Sequence, residues 1–206
     1  QVKEVLANGY PKPISSSQVS LIVPESQIIT KRFNVTQEQL TTEIKNIVGE
    51  DLTAFEHFYK VIPQEEKQEI LYTGMKRELI EKWQDVLHPL ALSLVFLSGE
   101  SFALLAFLQP ILTASDVLLY CHIHKKAGAY FVYDTEGPKV SWSKKITGKT
   151  FAGEAKTQIE KCEKENIHIT KVLLGGEGSI EIKAEEVKEA LQKETAKVSD
   201  VFETIL

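Results

Sequence analysis

The stretch ITKVLLGG, residues 169–176, decides the fold more than any other part of the chain. Its β-branched and aliphatic residues predict a short strand, and its paired glycines predict a tight turn where the strand ends. Beyond the turn, Val187, Ala190, Leu191 and Val198 lie on one face of a predicted amphipathic helix. The end of the chain is therefore predicted to be a strand–turn–helix unit.

Three segments with strand patterns precede this unit. Asp116 to His124 leads into Ala129 to Asp134, and Lys139 to Ile146 returns after a polar turn with apolar residues at every second position. A helix from about Phe151 to Glu165 then leads to the strand at Ile167 to Leu174. The second half of the chain is predicted to contain a three-stranded meander followed by a helix, a strand and a last helix.

The first half of the chain predicts a compact α+β module. Thr36 and Gln39 have the spacing of a capping box, which favours a helix that ends at Gly49. Pro24 predicts a bend or hairpin between the first two strands. The predicted strands are 19–24, 27–33, 57–62, 69–75 and 91–97, and the predicted helices are 36–48 and 76–87.

Two further helices are predicted outside this module. Val2 to Asn8 forms a short one that closes on Gly9. Ser101 to Gln109 forms another that is apolar on almost every side, which favours burial between layers, and Pro110 ends it.

Composition excludes several classes of protein. The 206 residues are 43% hydrophobic and 26% charged, with a formal charge of -5 and no basic stripe, so a nucleic-acid binder is excluded. Two cysteines in different surroundings, Cys121 and Cys162, do not form a disulfide framework and favour a reducing compartment.

The chain shows no obvious membrane or export segment. The apolar run from Leu90 to Leu108 is interrupted by Ser98-Gly99-Glu100-Ser101, and residues 1–20 have no signal-peptide pattern. Because the sequence begins at Gln1 without an initiator methionine, native sequence is expected to precede it.

Four stretches resemble the PilM-like family of type IV pilus assembly proteins, which is similar to the cell-division protein FtsA and so to the actin and Hsp70 superfamily. VSLIVPES (19–26) resembles the segment that opens the extra subdomain of these proteins, and the elements up to Leu87 match the rest of it in order. The other similar stretches are ESFAL (100–104), ITKVLLGG (169–176) and residues 198–206.

The resemblance implies a mixed fold, α+β and α/β, with a partial actin-like (ribonuclease H-like) architecture and an inserted α+β subdomain. It divides the chain into an N-terminal helix and linker at 1–18, an inserted SHS2-like subdomain at 19–97 and an actin-like subdomain at 98–206. In the family, an N-terminal Asp-x-Gly loop binds phosphate and metal, and this sequence starts after the point where that loop is expected.

The second phosphate loop of active relatives, Asp-x-Gly, aligns with His122-Ile123-His124. This segment lacks the carboxylate that organises a metal-bound water and the glycine that lets the backbone approach phosphate. The resemblance thus implies a scaffold without nucleotide hydrolysis, in which ATP would act only as a structural ligand. We predict no catalytic residue, no metal site and no required cofactor.

The resemblance also implies partners and a location. The expected partner is a short N-terminal cytoplasmic peptide of a PilN-like inner-membrane protein, together with other proteins of the pilus platform. The chain is then expected in the cytoplasm, peripheral to the inner face of the membrane.

Gly175, Gly176 and Gly178 are the candidate nucleotide-contacting residues. Glycines free backbone N–H groups to approach an anion at a helix start, although a purely structural turn needs the same residues. The sequence has no G-x-x-x-x-G-K-[ST] and no strand-linked G-x-G-x-x-G.

Histidines and cysteines offer other chemistry. A strand places His122 and His124 on one face with Cys121 opposite, so two imidazoles are placed to share a zinc ion. A third ligand has to come from elsewhere, and the candidates are His57, His88, His168 and Cys162. A cysteine nucleophile at Cys121 or Cys162 has no recognisable catalytic context.

Alternatives remain open at this point. A GspL-like domain of a type II secretion platform shares the expected fold, while a small metal-dependent hydrolase using His122 and His124, or a degenerate nucleotide sensor, belongs to another class. The stripe of Leu79, Trp83 and Leu87 is either a partner groove or, by default, core.

Overall fold

A computed structural model of the chain describes residues 17–49, 51–63, 68–124, 128–144 and 151–199. These residues fall into two compact units: unit 1 comprises Gln1–Ile29 and Asn34–Ala103, and unit 2 comprises Thr30–Phe33 and Leu104–Leu206. The predicted helix at 2–8 lies outside the described residues. The predicted division at 18 and 97 remains a prediction.

The elements up to residue 99 are β1 (Gln18–Val23), β2 (Ile28–Val35), α1 (Leu40–Val48), β3 (Phe55–Pro63), β4 (Gln68–Lys76), α2 (Arg77–Leu87) and β5 (Ser93–Gly99). They belong to the first unit except for the middle of β2, Thr30–Phe33, which groups with unit 2. In a three-stranded sheet of order β2-β4-β3, β3 and β4 are antiparallel from the pair Phe55 and Lys76 to the pair Pro63 and Gln68. In a second sheet, β1 and β5 pair in parallel.

The break at Pro24 is a bend, so the alternative expectation of a hairpin is wrong. A short 3-10 turn at Glu25–Gln27, closed by a 2.9 Å hydrogen bond from the Gln27 N–H to the Pro24 carbonyl, separates β1 from β2. The two strands then enter different sheets.

The helix predicted at 36–48 is confirmed over Leu40–Val48, which is α1, and a 3-10 turn at Gln37–Gln39 precedes it. The Thr36 N–H donates to Gln39 Oε1 at 3.4 Å, and the Gln39 N–H donates to the Thr36 carbonyl at 3.0 Å. At the other end, Gly49 has a φ of 66° and its N–H donates to the Lys45 carbonyl at 2.9 Å. Glycine suits this position because it adopts positive φ at no steric cost.

Helix α2 packs its apolar stripe into the core of unit 1. Val23, Ile28 and Met75 form the buried centre of this core. Leu79, Ile80, Trp83 and Leu97 pack against that centre. The stripe is thus core, as expected by default.

Glu25 links the end of β1 to the start of helix α3 (Glu100–Leu108). Its carboxylate accepts hydrogen bonds from the Ser101 N–H at 3.1 Å and from Ser101 Oγ at 2.9 Å. The Glu25 N–H donates to Glu100 Oε2 at 3.4 Å. The glutamate therefore caps the α3 N-terminus, where free N–H groups favour a negative charge.

A five-stranded sheet forms the centre of unit 2. The elements of this unit after α3 are β6 (Leu118–Ile123), β7 (Gly128–Asp134), β8 (Gly137–Lys144), α4 (Phe151–Lys164), β9 (Lys171–Gly175), α5 (Ala184–Leu191) and β10 (Glu194–Lys197). The strand order is β10-β9-β6-β7-β8. Strands β6, β7 and β8 form the predicted antiparallel meander, whereas β10, β9 and β6 are parallel.

The prediction of one long final helix is wrong. Helix α5 ends at Leu191, and Gln192 adopts the left-handed conformation with a φ of 52°. Residues 194–197 then form β10, which pairs with β9 at the edge of the sheet. Pairing with an adjacent strand overrides the helical spacing of the local sequence.

Two apolar clusters lie on opposite faces of this sheet. One includes Tyr130, Phe151, Cys162 and Val187, with Trp142 packed against it. The Trp142 and Tyr130 rings stack with centroids 5.3 Å apart and planes 7° from parallel. This cluster joins helices α4 and α5 to the sheet.

The other face is covered partly by α3. Leu108 is fully buried in the second cluster, and Leu104 and Leu105 pack against it. Phe107, by contrast, is 43% exposed. The expectation that α3 is buried on almost every side is therefore wrong, because one side of the helix faces solvent.

Asp134 organises the turn between β7 and β8. Its Oδ1 accepts from Arg32 Nη1 at 2.8 Å and from the N–H groups of Glu136 and Gly137 at 2.9 and 3.2 Å, and its Oδ2 pairs with Lys139 Nζ at 3.0 Å. Burial alone raises the pKa of Asp134, but hydrogen bonding and charge attraction from Arg32 and Lys139 outweigh it, so this pKa lies below its usual value. The turn therefore contains an ionised carboxylate at neutral pH.

Within the described part of the chain, no helix is long and apolar enough to cross a bilayer.

Candidate functional site

The carboxyl ends of β6 and β9 bring two predicted features together. The two strands are parallel neighbours, with His122 in register with Gly175. The histidine segment that aligns with the second phosphate loop therefore lies beside the glycine turn. Ends of parallel strands are where α/β folds bind ligands, so this place is the candidate site.

Gly176 and Gly178 pack against the backbone end of β6. Gly176 has a φ of 83°, and a Cβ on it would lie 2.4 Å from the Ile123 carbonyl oxygen. A Cβ on Gly178 would lie 2.8 Å from Ile123 Cγ2 and 3.0 Å from the His124 carbonyl oxygen. Close strand-to-turn packing thus accounts for both glycines, and ligand contact by them remains a prediction.

Gly175 leaves space for a tyrosine that sequence analysis missed. A Cβ on Gly175 would lie 2.3 Å from Tyr120 Oη. Without that Cβ, the Tyr120 hydroxyl lies 3.0 Å from His122 Nδ1. Burial, with a smaller contribution from Cys121, raises the pKa of Tyr120 to about 12, so the hydroxyl keeps its proton at neutral pH. The only signal for this contact is the i, i+2 spacing, which places Tyr120 on the same face as His122.

The two histidines lie side by side. The rings of His122 and His124 have centroids 4.5 Å apart, with planes at 69°. Cys121 points to the opposite face, where it is fully buried in the other cluster, and burial raises the pKa of its thiol. The predicted arrangement of these three side chains is confirmed.

The third metal ligand does not appear among the described residues. No group of three or more His, Cys, Asp and Glu side chains there is placed to hold a metal ion. Both ring nitrogens of His57 form hydrogen bonds in unit 1: Nε2 lies 2.7 Å from the Leu52 carbonyl oxygen and Nδ1 lies 2.8 Å from Tyr72 Oη. Cys162 is buried in the core around Phe151, and burial raises its pKa to about 11, which disfavours a thiolate nucleophile.

A second candidate surface is an apolar groove in unit 1, which sequence analysis missed. It has a volume of about 490 Å³ and is lined by residues of β3, β4, β5 and the starts of α2 and α3. Phe58, Val95 and Phe96 lie at its surface with 68%, 53% and 55% of their area exposed. Monomeric proteins rarely leave such clustered apolar side chains uncovered without a binding role.

Strand β5 forms one wall of the groove. Within the ranges that the structure describes, β1 is the only strand that pairs with it. A strand with a free edge offers backbone N–H and C=O groups for pairing with an extended segment. The groove therefore has exposed aromatic side chains next to a strand edge to which an extended segment can add.

Comparison with solved structures shows that the chain has an actin-like ATPase fold. It is similar to the structure of a PilM–PilN type IV pilus biogenesis complex, with a TM-score of 0.66 and 15% identity over 96% of this chain and 73% of that one. It is also similar to a Bacteroides thetaiotaomicron protein with an actin-like ATPase fold and unknown function, with a TM-score of 0.53 and 10% identity over 97% of this chain and 75% of that one.

A third similar structure is the cytoplasmic domain of EpsL, an inner-membrane component of the type II secretion system of Vibrio cholerae. The TM-score is 0.51 and the identity 9%, over 84% of this chain and 65% of that one. No protein-family model matches the sequence. No curated protein matches it either.

Proposed function

We propose that the chain is a scaffold of a type IV pilus or secretion platform that binds an extended segment of a partner protein and does not hydrolyse nucleotide. The observation that carries this proposal is the apolar groove of unit 1, with Phe58, Val95 and Phe96 exposed beside the free edge of β5. The similarity in fold to a PilM–PilN complex supports the same conclusion.

The size of the groove favours a short peptide over a second folded chain. An aromatic side chain buries about 150–250 Å² in an interface, so the exposed parts of Phe58 and Phe96 with Val95 offer on the order of 300 Å². A stable interface between folded proteins needs about 800 Å² per partner. An extended peptide can instead add backbone pairing with β5 to a few buried apolar side chains.

The charge of unit 1 favours a basic segment. Unit 1 contains 14 acidic and 8 basic residues, whereas unit 2 contains 15 acidic and 16 basic ones. A peptide that carries lysine or arginine beside an apolar anchor complements such a surface. The occupant that we propose is therefore the N-terminal cytoplasmic peptide of a PilN-like inner-membrane protein, which places the chain in the cytoplasm at the inner face of the membrane.

The candidate site of unit 2 supports the absence of hydrolysis. Where active relatives have a carboxylate, this chain has His122 and His124, and Gly176 and Gly178 are pressed against Ile123 and His124. Imidazoles are poor ligands for magnesium, which prefers oxygen donors. Any ATP bound here is thus proposed to act as a structural ligand. Calorimetry with ATP and magnesium, followed by a phosphate-release assay, tests this point, and measurable turnover contradicts it.

Peptide binding is tested with the full chain and a synthetic N-terminal cytoplasmic peptide of a PilN-like protein. We expect saturable binding in calorimetry and a loss of at least about tenfold in affinity for Phe96→Ser, since central aromatic residues dominate such interfaces. Ile180→Ser is the matched control, because Ile180 is 76% exposed but lies in unit 2. Equal affinity of Phe96→Ser and wild type, or no binding by the wild type, contradicts the proposal.

A GspL-like role in a type II secretion platform is the second candidate, favoured by the similarity to the EpsL cytoplasmic domain. A PilM-like protein and a GspL-like protein differ in the rest of the gene, because the latter continues into a membrane span. Sequencing the complete gene with its neighbours distinguishes the two.

A further inference from the structure

We propose that strand β3 is a self-association edge, at which two copies of this chain pair their β3 strands antiparallel about a two-fold axis through Phe58. The occupant of the edge is thus a second copy of the chain, and the three-stranded sheets of both copies join into one continuous sheet. The strand edge used in the proposed function is that of β5, so this inference does not rest on peptide binding.

Strand β3 is long and regular, and it lies at the end of its sheet. It pairs with β4 at every position from Phe55 to Pro63 without a bulge. Among the residues that the structure describes, β4 is the only strand paired with it, since the order is β2-β4-β3. Natural proteins usually protect an edge strand with short length, bulges or several charges, because its outward N–H and C=O groups can pair with another chain. The shape of β3 therefore suits pairing.

Both faces of β3 carry exposed apolar side chains. Phe58, Tyr59 and Val61 are 68%, 55% and 41% exposed. Successive side chains of a strand project to opposite faces, so Phe58 lies on one face while Tyr59 and Val61 lie on the other. A molecule that covers one face of the sheet leaves the other uncovered. A strand added at the edge contacts both, which favours a strand as the occupant.

The sequence of β3 is complementary to itself. Residues directly opposite each other in an antiparallel pair project to the same face, so a two-fold axis has to pass through a residue position. With the axis at Phe58, Glu56 faces Lys60 of the second copy. Phe58 then faces its own counterpart, and His57 faces Tyr59. Opposite charges and aromatic pairs at such positions stabilise a sheet.

Neighbouring registers lack this match. An axis at Tyr59 places Phe58 opposite Lys60, and an axis at His57 places Glu56 opposite Phe58. An axis at Lys60 places two lysines opposite each other, which destabilises the pair. The charge pattern therefore selects the register through Phe58, and it favours a second copy over an unrelated strand.

The area of the edge predicts a weak dimer. A fully covered aromatic side chain buries about 150–250 Å², so the exposed parts of Phe58, Tyr59 and Val61 supply on the order of 300 Å² per copy. The paired backbone of residues 55–61 adds to this area, but a stable interface needs about 800 Å² per partner. The formal charge of -6 on unit 1 also opposes association of two copies. We therefore expect a reversible dimer that forms at high protein concentration.

Sedimentation velocity of the full chain over a range of concentrations tests the dimer. The mean sedimentation coefficient should rise from the monomer value toward the dimer value, and Tyr59→Ser should raise the dissociation constant at least about tenfold. Ile180→Ser is the matched control, because Ile180 is also exposed but lies in unit 2. A wild type that stays monomeric at about 1 mM overturns the proposal. Equal dimerisation of Tyr59→Ser and wild type overturns it as well.

Charge reversal tests the register. Lys60→Glu places two carboxylates opposite each other twice in the dimer, so its dissociation constant should rise about tenfold, and adding Glu56→Lys to the same chain should restore it. Lys82→Glu is the control, since it makes the same change in net charge at an exposed lysine of α2. Equal effects of Lys60→Glu and Lys82→Glu, or no recovery in the double variant, exclude the pairing through Phe58.

The variants are expected to fold. Glu56 pairs with Arg77 Nε at 3.1 Å, but both side chains are about half exposed, and such a pair contributes little to folding. Circular dichroism and thermal melts check each variant before sedimentation.

The peptide assay separates this proposal from the proposed function. Tyr59 lies on the face opposite Phe58, which lines the groove, so Tyr59→Ser should bind the PilN-like peptide as the wild type does. If the wild type stays monomeric and Tyr59→Ser loses peptide affinity, β3 binds the peptide, and the dimer is excluded. Failure of the peptide to bind any variant contradicts the proposed function but leaves the sedimentation result unchanged.

Discussion

At Gly176, both the backbone conformation and the close packing require a residue without a side chain. A side chain at φ 83° is strained, and its Cβ would lie 2.4 Å from the Ile123 carbonyl oxygen. We predict that Gly176→Ala lowers the free energy of unfolding by about 2–4 kcal/mol without any nucleotide present. Urea denaturation of the full chain measures this change in the free energy of unfolding.

Gly153→Ala is the control for this measurement. Gly153 lies in α4, where an added Cβ meets nothing within 4 Å. Alanine should stabilise the helix there by about 0.5–1 kcal/mol. If Gly176→Ala proves as neutral or as stabilising as Gly153→Ala, packing against β6 is not the reason for this glycine.

Glu25 provides a second prediction at the scale of single residues. Glu25→Ala removes both acceptors for Ser101 and leaves the first turn of α3 without its cap, so we expect a loss of about 2 kcal/mol in the free energy of unfolding. Glu81→Ala, on the exposed face of α2, should change it little. Equal effects of both substitutions in urea denaturation contradict the capping role.

Contacts of single residues were only partly accessible from the sequence. The i, i+2 rule placed His122 and His124 on one face, because strand geometry fixes that relation locally. By contrast, the sequence separates Glu25 from Ser101 by 76 residues, and only the folded chain brings them together. The contact between Tyr120 and His122 also depends on Gly175, which lies on another strand.

Among the elements, the turn between β7 and β8 depends most on charge. Because the pKa of Asp134 is lowered in the folded state, its stabilising effect is complete above its unfolded pKa of about 3.9 and is lost as the pH falls through the folded value. We predict that Asp134→Asn lowers the free energy of unfolding by about 3 kcal/mol at pH 7, since the ion pairs of this carboxylate with the buried Arg32 and with Lys139 are removed.

The decisive measurement is how the difference in the free energy of unfolding between wild type and Asp134→Asn depends on pH. The gap between wild type and Asp134→Asn should shrink as the pH falls below about 4, because the unfolded wild-type chain then takes up a proton at Asp134 while the folded carboxylate, with its lowered pKa, stays ionised to lower pH. Chemical denaturation at several pH values follows it. A gap that stays constant down to pH 2 excludes an electrostatic origin.

Elements with a strong local signal were predicted well, and those that depend on a neighbour were not. Thr36 caps the 3-10 turn that leads into helix α1, and Gly49 ends the helix, so this helix and its end follow from local signals. Strand β10 has no such signal, and Val198 continues the helical spacing of Val187 and Leu191. Only pairing with β9 makes that segment a strand.

For the whole molecule, the charge difference between the units predicts a salt effect on peptide binding. Unit 1 has a formal charge of -6, from 14 acidic and 8 basic residues, so attraction to a basic peptide should be screened by added ions. We expect the affinity to fall about three- to tenfold between 50 and 300 mM NaCl in fluorescence titrations. A salt-independent affinity excludes charge complementarity but leaves the apolar anchor in place.

The actin-like fold was accessible from the sequence through the resemblance to the PilM-like family, because that resemblance rests on the order of strands, helices and glycine turns along the whole chain. The groove of unit 1 could not be predicted from the sequence. Phenylalanines such as Phe58 and Phe96 are usually core residues, and only the folded chain reveals that both are exposed.

The chain has two tryptophans, and each lies in the core of a different compact unit. Trp83 packs beside Val23 and Met75, whereas Trp142 stacks on Tyr130. Each compact unit therefore contains one natural fluorophore, and the surroundings of the two indole rings differ. Single-tryptophan variants, Trp83→Phe and Trp142→Phe, make it possible to follow the emission of one half at a time and to learn whether both melt in the same transition.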